Sequence, residues 1–191
     1  MKGPPDGWTG TRDENDKKLT IRNKFGDTIV HSPQPYVHHF FLSHVQRECG
    51  DLCAFLTTEL RKRSKFGKKI RCWFDQKASI INKRNMQIGI KHSRAYLLFL
   101  SPNVWRSAYV CFELKTAISL QKPLVLVHNP DENSSSFVSL EKLKEEAPQE
   151  FQEALQTVTV LSFAFQGPEC SRMIEGLLEA ADLMDHYQPD S

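Results

Sequence analysis

The sequence predicts an α/β domain: a doubly wound, flavodoxin-like five-stranded parallel sheet of order 2-1-3-4-5, with helices on both faces. Three observations predict it. Five short apolar runs alternate with five helical patterns between Tyr36 and Tyr187. The runs are apolar at nearly every position, as strands covered on both faces are. Five strands in about 150 residues, joined by right-handed crossovers, fit that order.

The elements follow in turn. Residues 1–35 read as a leader, with Pro4, Pro5, Pro33 and Pro35 and many charges. Within it Leu19–Ile21 and Thr28–Val30 flank Phe25-Gly26-Asp27, so a small hairpin and a disordered segment are both open readings. The first run of the domain is Val37–Ser43, and Gly50–Arg63 follows with Leu52, Phe55, Leu56 and Leu60 at helical spacing. Lys69–Asp75 is the second run, and Asn82–His92 a weaker helix with Met86, Ile88 and Ile90. Arg94–Ser101 is the third run, and Ser107–Leu120 a helix carrying Val110, Leu114, Ala117 and Ile118. Pro123–His128 is the fourth, followed by a polar stretch and a helical region, Leu140–Leu155, that Pro148 breaks. Thr157–Phe163 is the fifth, and Pro168–Tyr187 closes the domain as an amphipathic helix. The domain is expected over residues 36–187, with a tail at 188–191.

Bulk properties exclude several classes. Net charge is +2 and pI about 8.3, with no polyanion-seeking excess. A nucleic-acid face spreads basic residues over one side with interleaved aromatics; the cluster Arg61–Arg63, Lys65 and Lys68-Lys69 shows no such spread, so it reads as a solvated helix end followed by a loop and no nucleic-acid partner is expected. Five cysteines with no CxxC pair fit neither a secreted disulfide framework nor a zinc ribbon. The first ten residues lack the apolar core of a signal peptide, and no apolar run approaches a membrane span. The chain therefore reads as soluble and cytoplasmic, without a membrane partner.

Missing motifs narrow the chemistry. There is no GxxxxGK[ST], no GxGxxG and no GxSxG. His38 and His39 are adjacent, so a strand points them to opposite faces and no metal site is expected. A phospho-receiver needs an acidic pair after its first strand and an Asp ending its third; here stand Ser43-His44 and Leu100-Ser101. Ligands of doubly wound sheets sit outside the carboxyl ends of the strands, which here are Ser43-His44, Asp75-Gln76, Ser101-Pro102 and His128-Asn129.

Five segments, taken together, resemble one family. Phe40-Phe41-Leu42-Ser43 is similar to the signature closing the first strand of TIR (Toll/interleukin-1 receptor) domains. Ile70–Asp75 is similar to that family's second strand, with its aromatic-then-Asp ending, and Met86–Ser93 to the helix that follows. Leu98–Asn103 with Ser107–Leu114 resembles the block that ends in Ser-x-Trp-Cys-x-x-Glu-Leu, here Ser107-Ala108-Tyr109-Val110-Cys111-Phe112-Glu113-Leu114. Pro123–Val127 resembles the fourth strand. The likeness covers residues 36–165. It departs at the position before the cysteine, where tyrosine and valine replace the usual tryptophan. It departs again in the loop Gln76–Arg84, which lacks the usual glycine.

The resemblance implies two behaviours: cleavage of NAD+ at the nicotinamide–ribose bond, or assembly with other TIR domains as a scaffold. In the first, Glu113 takes the catalytic position, with NAD+ as substrate and no cofactor. Ser43, His44, Trp73, Asp75, Ser107 and Cys111 are then the candidate substrate-binding residues, and Trp73 either stacks on a ring of the substrate or turns into the core. In the second, self-association uses surfaces including Gln76–Arg84, where Ile80-Ile81 stands in a basic loop. A sensor that binds a nucleotide without turnover is a third possibility at the same rim.

Overall fold

The computed structural model describes residues 8–13, 18–23, 28–31, 36–64, 69–73 and 82–186. The chain divides into two compact units, Met1–Pro35 and Tyr36–Ser191. In the first, β1 (Trp8–Asp13), β2 (Lys18–Asn23) and β3 (Thr28–His31) form an antiparallel sheet in that order. The runs Leu19–Ile21 and Thr28–Val30 lie in β2 and β3, with Ile21 opposite Ile29. β1 has no counterpart in the sequence reading, because Thr9–Asp13 shows no apolar alternation.

The second unit holds a parallel sheet of β4 (His38–Ser43), β5 (Cys72–Trp73), β6 (Ser93–Leu100), β7 (Leu124–His128) and β8 (Thr159–Ser162). Its spatial order is β5-β4-β6-β7-β8, which is 2-1-3-4-5 in chain order, as the sequence predicts. The helices are α1 (Gln46–Lys62), α2 (Lys83–Lys91), α3 (Ala108–Ser119), α4 (Leu140–Glu146), α5 (Gln149–Gln156) and α6 (Gly167–Ala180). Alternate strand residues feed two cores. Phe40, Leu42, Leu97, Phe99, Val125 and Val127 meet α1 and α6. Phe41, Tyr96, Leu98, Leu100 and Leu126 meet α3 and the buried side of α2, α4 and α5.

Several boundaries differ from the sequence reading. α1 begins at Gln46 rather than Gly50, because its first turn is polar and carries no apolar period. Pro148 splits the Leu140–Leu155 region into α4 and α5, as expected. α6 stops at Ala180 rather than Tyr187. Asp182 takes the left-handed conformation (φ 52°), and the Leu183 and Asp182 amides bond back to the Leu178 and Glu179 carbonyls, with Leu183 buried against the helix end. A 3-10 turn, Met184–His186, follows. Within the second run, the described ladder is Cys72–Trp73. Phe74, Asp75, residues 76–81 of the expected docking loop, Tyr187 and the tail lie outside the described residues.

One aromatic stack ties three strands together. Phe41 lies flat on Trp73 (centroids 4.4 Å, 9° between planes) and on Tyr96 (5.7 Å, 11°), its register partners on β5 and β6. Trp73 is thus packed against its own domain. Gly89 of α2 closes the stack from above: a Cβ there would come within 2.9 Å of the Trp73 ring and 3.0 Å of Phe41. Only a residue without a side chain brings α2 that close.

At the amino ends of the strands, the Arg71 amide donates to His39 Nδ1 (3.0 Å), and His186 packs edge-on against the ring (4.8 Å). Burial first, then the nearby charges of His186 and Arg71, lower the His39 pKa from 6.5 to about 4. The unfolded chain therefore takes up a proton that the folded one refuses over that window, and stability is lost as pH falls from 6.5 to about 4. His38, lowered by burial and by Arg71, acts in the same direction. Thermal midpoints measured across this range are expected to fall less steeply in His39→Asn, whose side-chain oxygen still accepts from Arg71.

Candidate functional site

The site sits where the chain reverses direction in the sheet, at the carboxyl ends of β4 and β6. Ser43 ends β4. Glu113 stands in the second turn of α3, the helix that follows β6. Residues 70 apart in sequence meet there: Ser43 Oγ donates to Glu113 Oε2 at 2.5 Å. Both are buried, Ser43 at 1% exposure and Glu113 at 5%. A carboxylate at that depth interacts more strongly than one in water, because the surrounding dielectric is low.

The other expected site residues have local partners. Ser107 is the N-cap of α3 and accepts from the Val110 amide at 3.3 Å. That cap sets where α3 begins, and so the height of Glu113. Cys111 Sγ donates to the Trp105 carbonyl (3.3 Å), and burial, then the charge of Glu150, raises its pKa above the ordinary thiol value. It is a poor nucleophile. Trp105 in turn donates through Nε1 to the Leu143 carbonyl (2.8 Å), joining the β6–α3 connection to α4. His44 Nε2 is hydrogen-bonded to Gln46 Oε1 (2.8 Å) and is half-buried at the rim. Lys115 forms its ion pair with Glu150 (2.6 Å), away from Glu113.

The rest of the rim is fastened down. His128 Nε2 donates to the Val138 carbonyl (2.7 Å), and Asn129 Nδ2 to Ser136 Oγ (2.8 Å). On the α1 side, Asn103 holds the Glu48 carboxylate through its amide (3.2 Å) and its side chain. Burial opposes the Glu48 charge, but the hydrogen bonds from Asn103 outweigh it and hold the carboxyl below its ordinary range. Among the described residues, no three of His, Cys, Asp and Glu stand close enough to hold a metal.

Sequence reasoning missed Tyr96. It lies in an apolar strand on the same face as Phe41 and Ser43. Its ring is fully buried, and its hydroxyl makes no well-formed hydrogen bond. The signal was the parity of β4 against β6, which a chain read one strand at a time does not display.

No protein-family model and no curated protein matches the chain in sequence. Solved structures do match in fold. A metazoan TIR-STING receptor from C. gigas is similar with a TM-score of 0.51 and 16% identity, over 78% of this chain and 41% of that one. The TIR domains of the activated Roq1 resistosome, which directly recognises the pathogen effector XopQ, give 0.47 and 17%, over 73% and 96%. A flavodoxin-like domain from Synechococcus sp. gives 0.45 and 12%, over 76% and 98%. Among the described residues no helix is long and apolar enough to cross a membrane. At such identities the likeness is one of architecture, and the second unit has a TIR-like, flavodoxin-like fold.

Proposed function

We propose that this domain is an NAD+ glycohydrolase that cleaves the nicotinamide–ribose bond, with Glu113 as its catalytic carboxylate. One observation carries the reading: a buried carboxylate, oriented by a buried serine, at the switch point of a doubly wound sheet. The chemistry asks for little more. Nicotinamide leaves as a neutral molecule, so no general acid is required. Positive charge develops on the ribose ring, as in glycoside hydrolysis. A carboxylate fixed beside that ring stabilises the charge and accepts hydrogen bonds from the ribose hydroxyls. Ser43 holds one carboxylate oxygen in place, and the half-buried His44 stands beside it at the rim. Incubation of NAD+ with concentrated protein, with products separated by chromatography, tests the reading. Release of nicotinamide supports it; intact NAD+ under conditions that promote assembly returns the domain to a scaffold or a nucleotide sensor.

Self-association is the second part of the proposal, and a specific feature favours it. Ile88 on α2 and Tyr109 on α3 are 48% and 52% exposed, on two helices that pack side by side. Two large apolar side chains left in solvent on neighbouring helices support an interaction surface there. Ile88→Glu is expected to weaken association by about tenfold, the loss of one interface anchor, while leaving the fold intact. Sedimentation of the purified variant beside wild type measures it, and unchanged association removes α2 from the surface.

A further inference from the structure

We propose that Tyr96 is a positioning residue for Glu113, donating its phenolic hydrogen to Ser43 so that Tyr96, Ser43 and Glu113 form one buried relay. The inference rests on the assignment of Glu113 made above and extends it to a residue on another strand. Ser43 has a single hydroxyl proton, and the structure commits it to Glu113 Oε2. Its oxygen is left with acceptor capacity only, so any further partner must be a donor. Tyr96 is the buried donor on the adjacent strand. β4 and β6 pair in parallel with Phe41 opposite Tyr96, which puts Tyr96 on the face that carries Ser43 and α3.

The tyrosine is costly in any other role. A phenylalanine would keep the stack on Phe41 and leave no polar atom in the core. Instead the hydroxyl is sealed from solvent without a well-formed bond. A buried polar group in that state calls for a reason. Burial first, then the charge of Glu113, drive its ionisation well above the ordinary phenol range, while the neighbouring Ser43 pulls the other way. The phenol thus stays protonated and remains a donor. In the proposed relay the phenol and Ser43 oxygens close to bonding distance, and donors in series strengthen one another.

The experiment follows the Glu113 carboxyl by carbon-13 NMR in glutamate-labelled full-length protein, identified by its loss in Glu113→Gln. Wild type, Tyr96→Phe, Ser43→Ala and the double variant are titrated. Removal of the phenol hydroxyl is expected to move the Glu113 midpoint upward, and to do nothing further once Ser43 is gone. Replacing tyrosine throughout by 3-fluorotyrosine, a stronger donor, is expected to move it downward without deleting any group. An unchanged midpoint in Tyr96→Phe overturns the relay; an equal shift in the Ser43→Ala background overturns its path through Ser43. In nicotinamide release, Tyr96→Phe is expected to lower kcat about threefold at constant KM, the scale of one neutral hydrogen bond. If wild type leaves NAD+ intact, the glycohydrolase reading falls, while the titration still decides the relay.

Discussion

Glu113→Gln is expected to abolish nicotinamide release from NAD+, with a loss of about a hundredfold to a thousandfold, the usual effect of removing a group aimed at developing charge. The amide is nearly the size of the carboxylate, and its oxygen still accepts from Ser43 at the position of Oε2. The Ser43 hydrogen bond is kept while the negative charge is lost and the second oxygen becomes an NH2 donor, so an unchanged melting curve for the variant assigns reduced activity to the carboxylate rather than to collapse of α3. Chromatographic separation of nicotinamide and the nucleotide product, with equal amounts of each protein, makes the comparison. Equal release from both would move catalysis to another carboxylate. An unchanged KM beside a lower kcat would place the interaction in the transition state alone.

The largest effect on stability is expected from Phe41→Ala. Phe41 has no exposure and is the middle plate between Trp73 and Tyr96. Truncation removes its own burial and leaves both outer rings facing a cavity. Such changes cost about 3–5 kcal/mol, a large share of the roughly 5–15 kcal/mol that holds a typical domain folded. Urea unfolding followed by tryptophan fluorescence should show a midpoint lowered in proportion, with little change in slope. A loss below about 1 kcal/mol would mean that α2 and β5 close onto the gap.

The layout of the sheet was legible because apolar runs and helical spacing report burial directly. Val37–Ser43, Arg94–Ser101 and Pro123–His128 could only be covered strands, and their order follows from handedness. Element ends were less legible, since they depend on single backbone states. The left-handed Asp182 stops α6 with no glycine to announce it. β1 is nearly all polar and pairs through its backbone. At the site, Ser43 and Glu113 were legible as residues at one rim, but their bond belongs to the packing of α3 on β4. Ser107 shows the converse: its type fits both a ligand contact and a helix cap, and the structure gives it the cap. Tyr96 could not be singled out, because a tyrosine in an apolar strand looks like one more large side chain until the neighbouring strand is placed.

The approach of Gly89 to Trp73 reaches beyond stability into how this chain can drift. Trp73 occupies the volume that any side chain at position 89 would need. The positions are therefore coupled: an alanine at 89 becomes tolerable only after the indole at 73 has given way to a smaller ring and the Phe41 edge, at 3.0 Å, has yielded slightly. Order matters too, since enlarging position 89 first passes through an overfilled intermediate, whereas shrinking 73 first passes through a cavity. Mutational paths that reshape this corner are expected to begin at the strand and end at the helix.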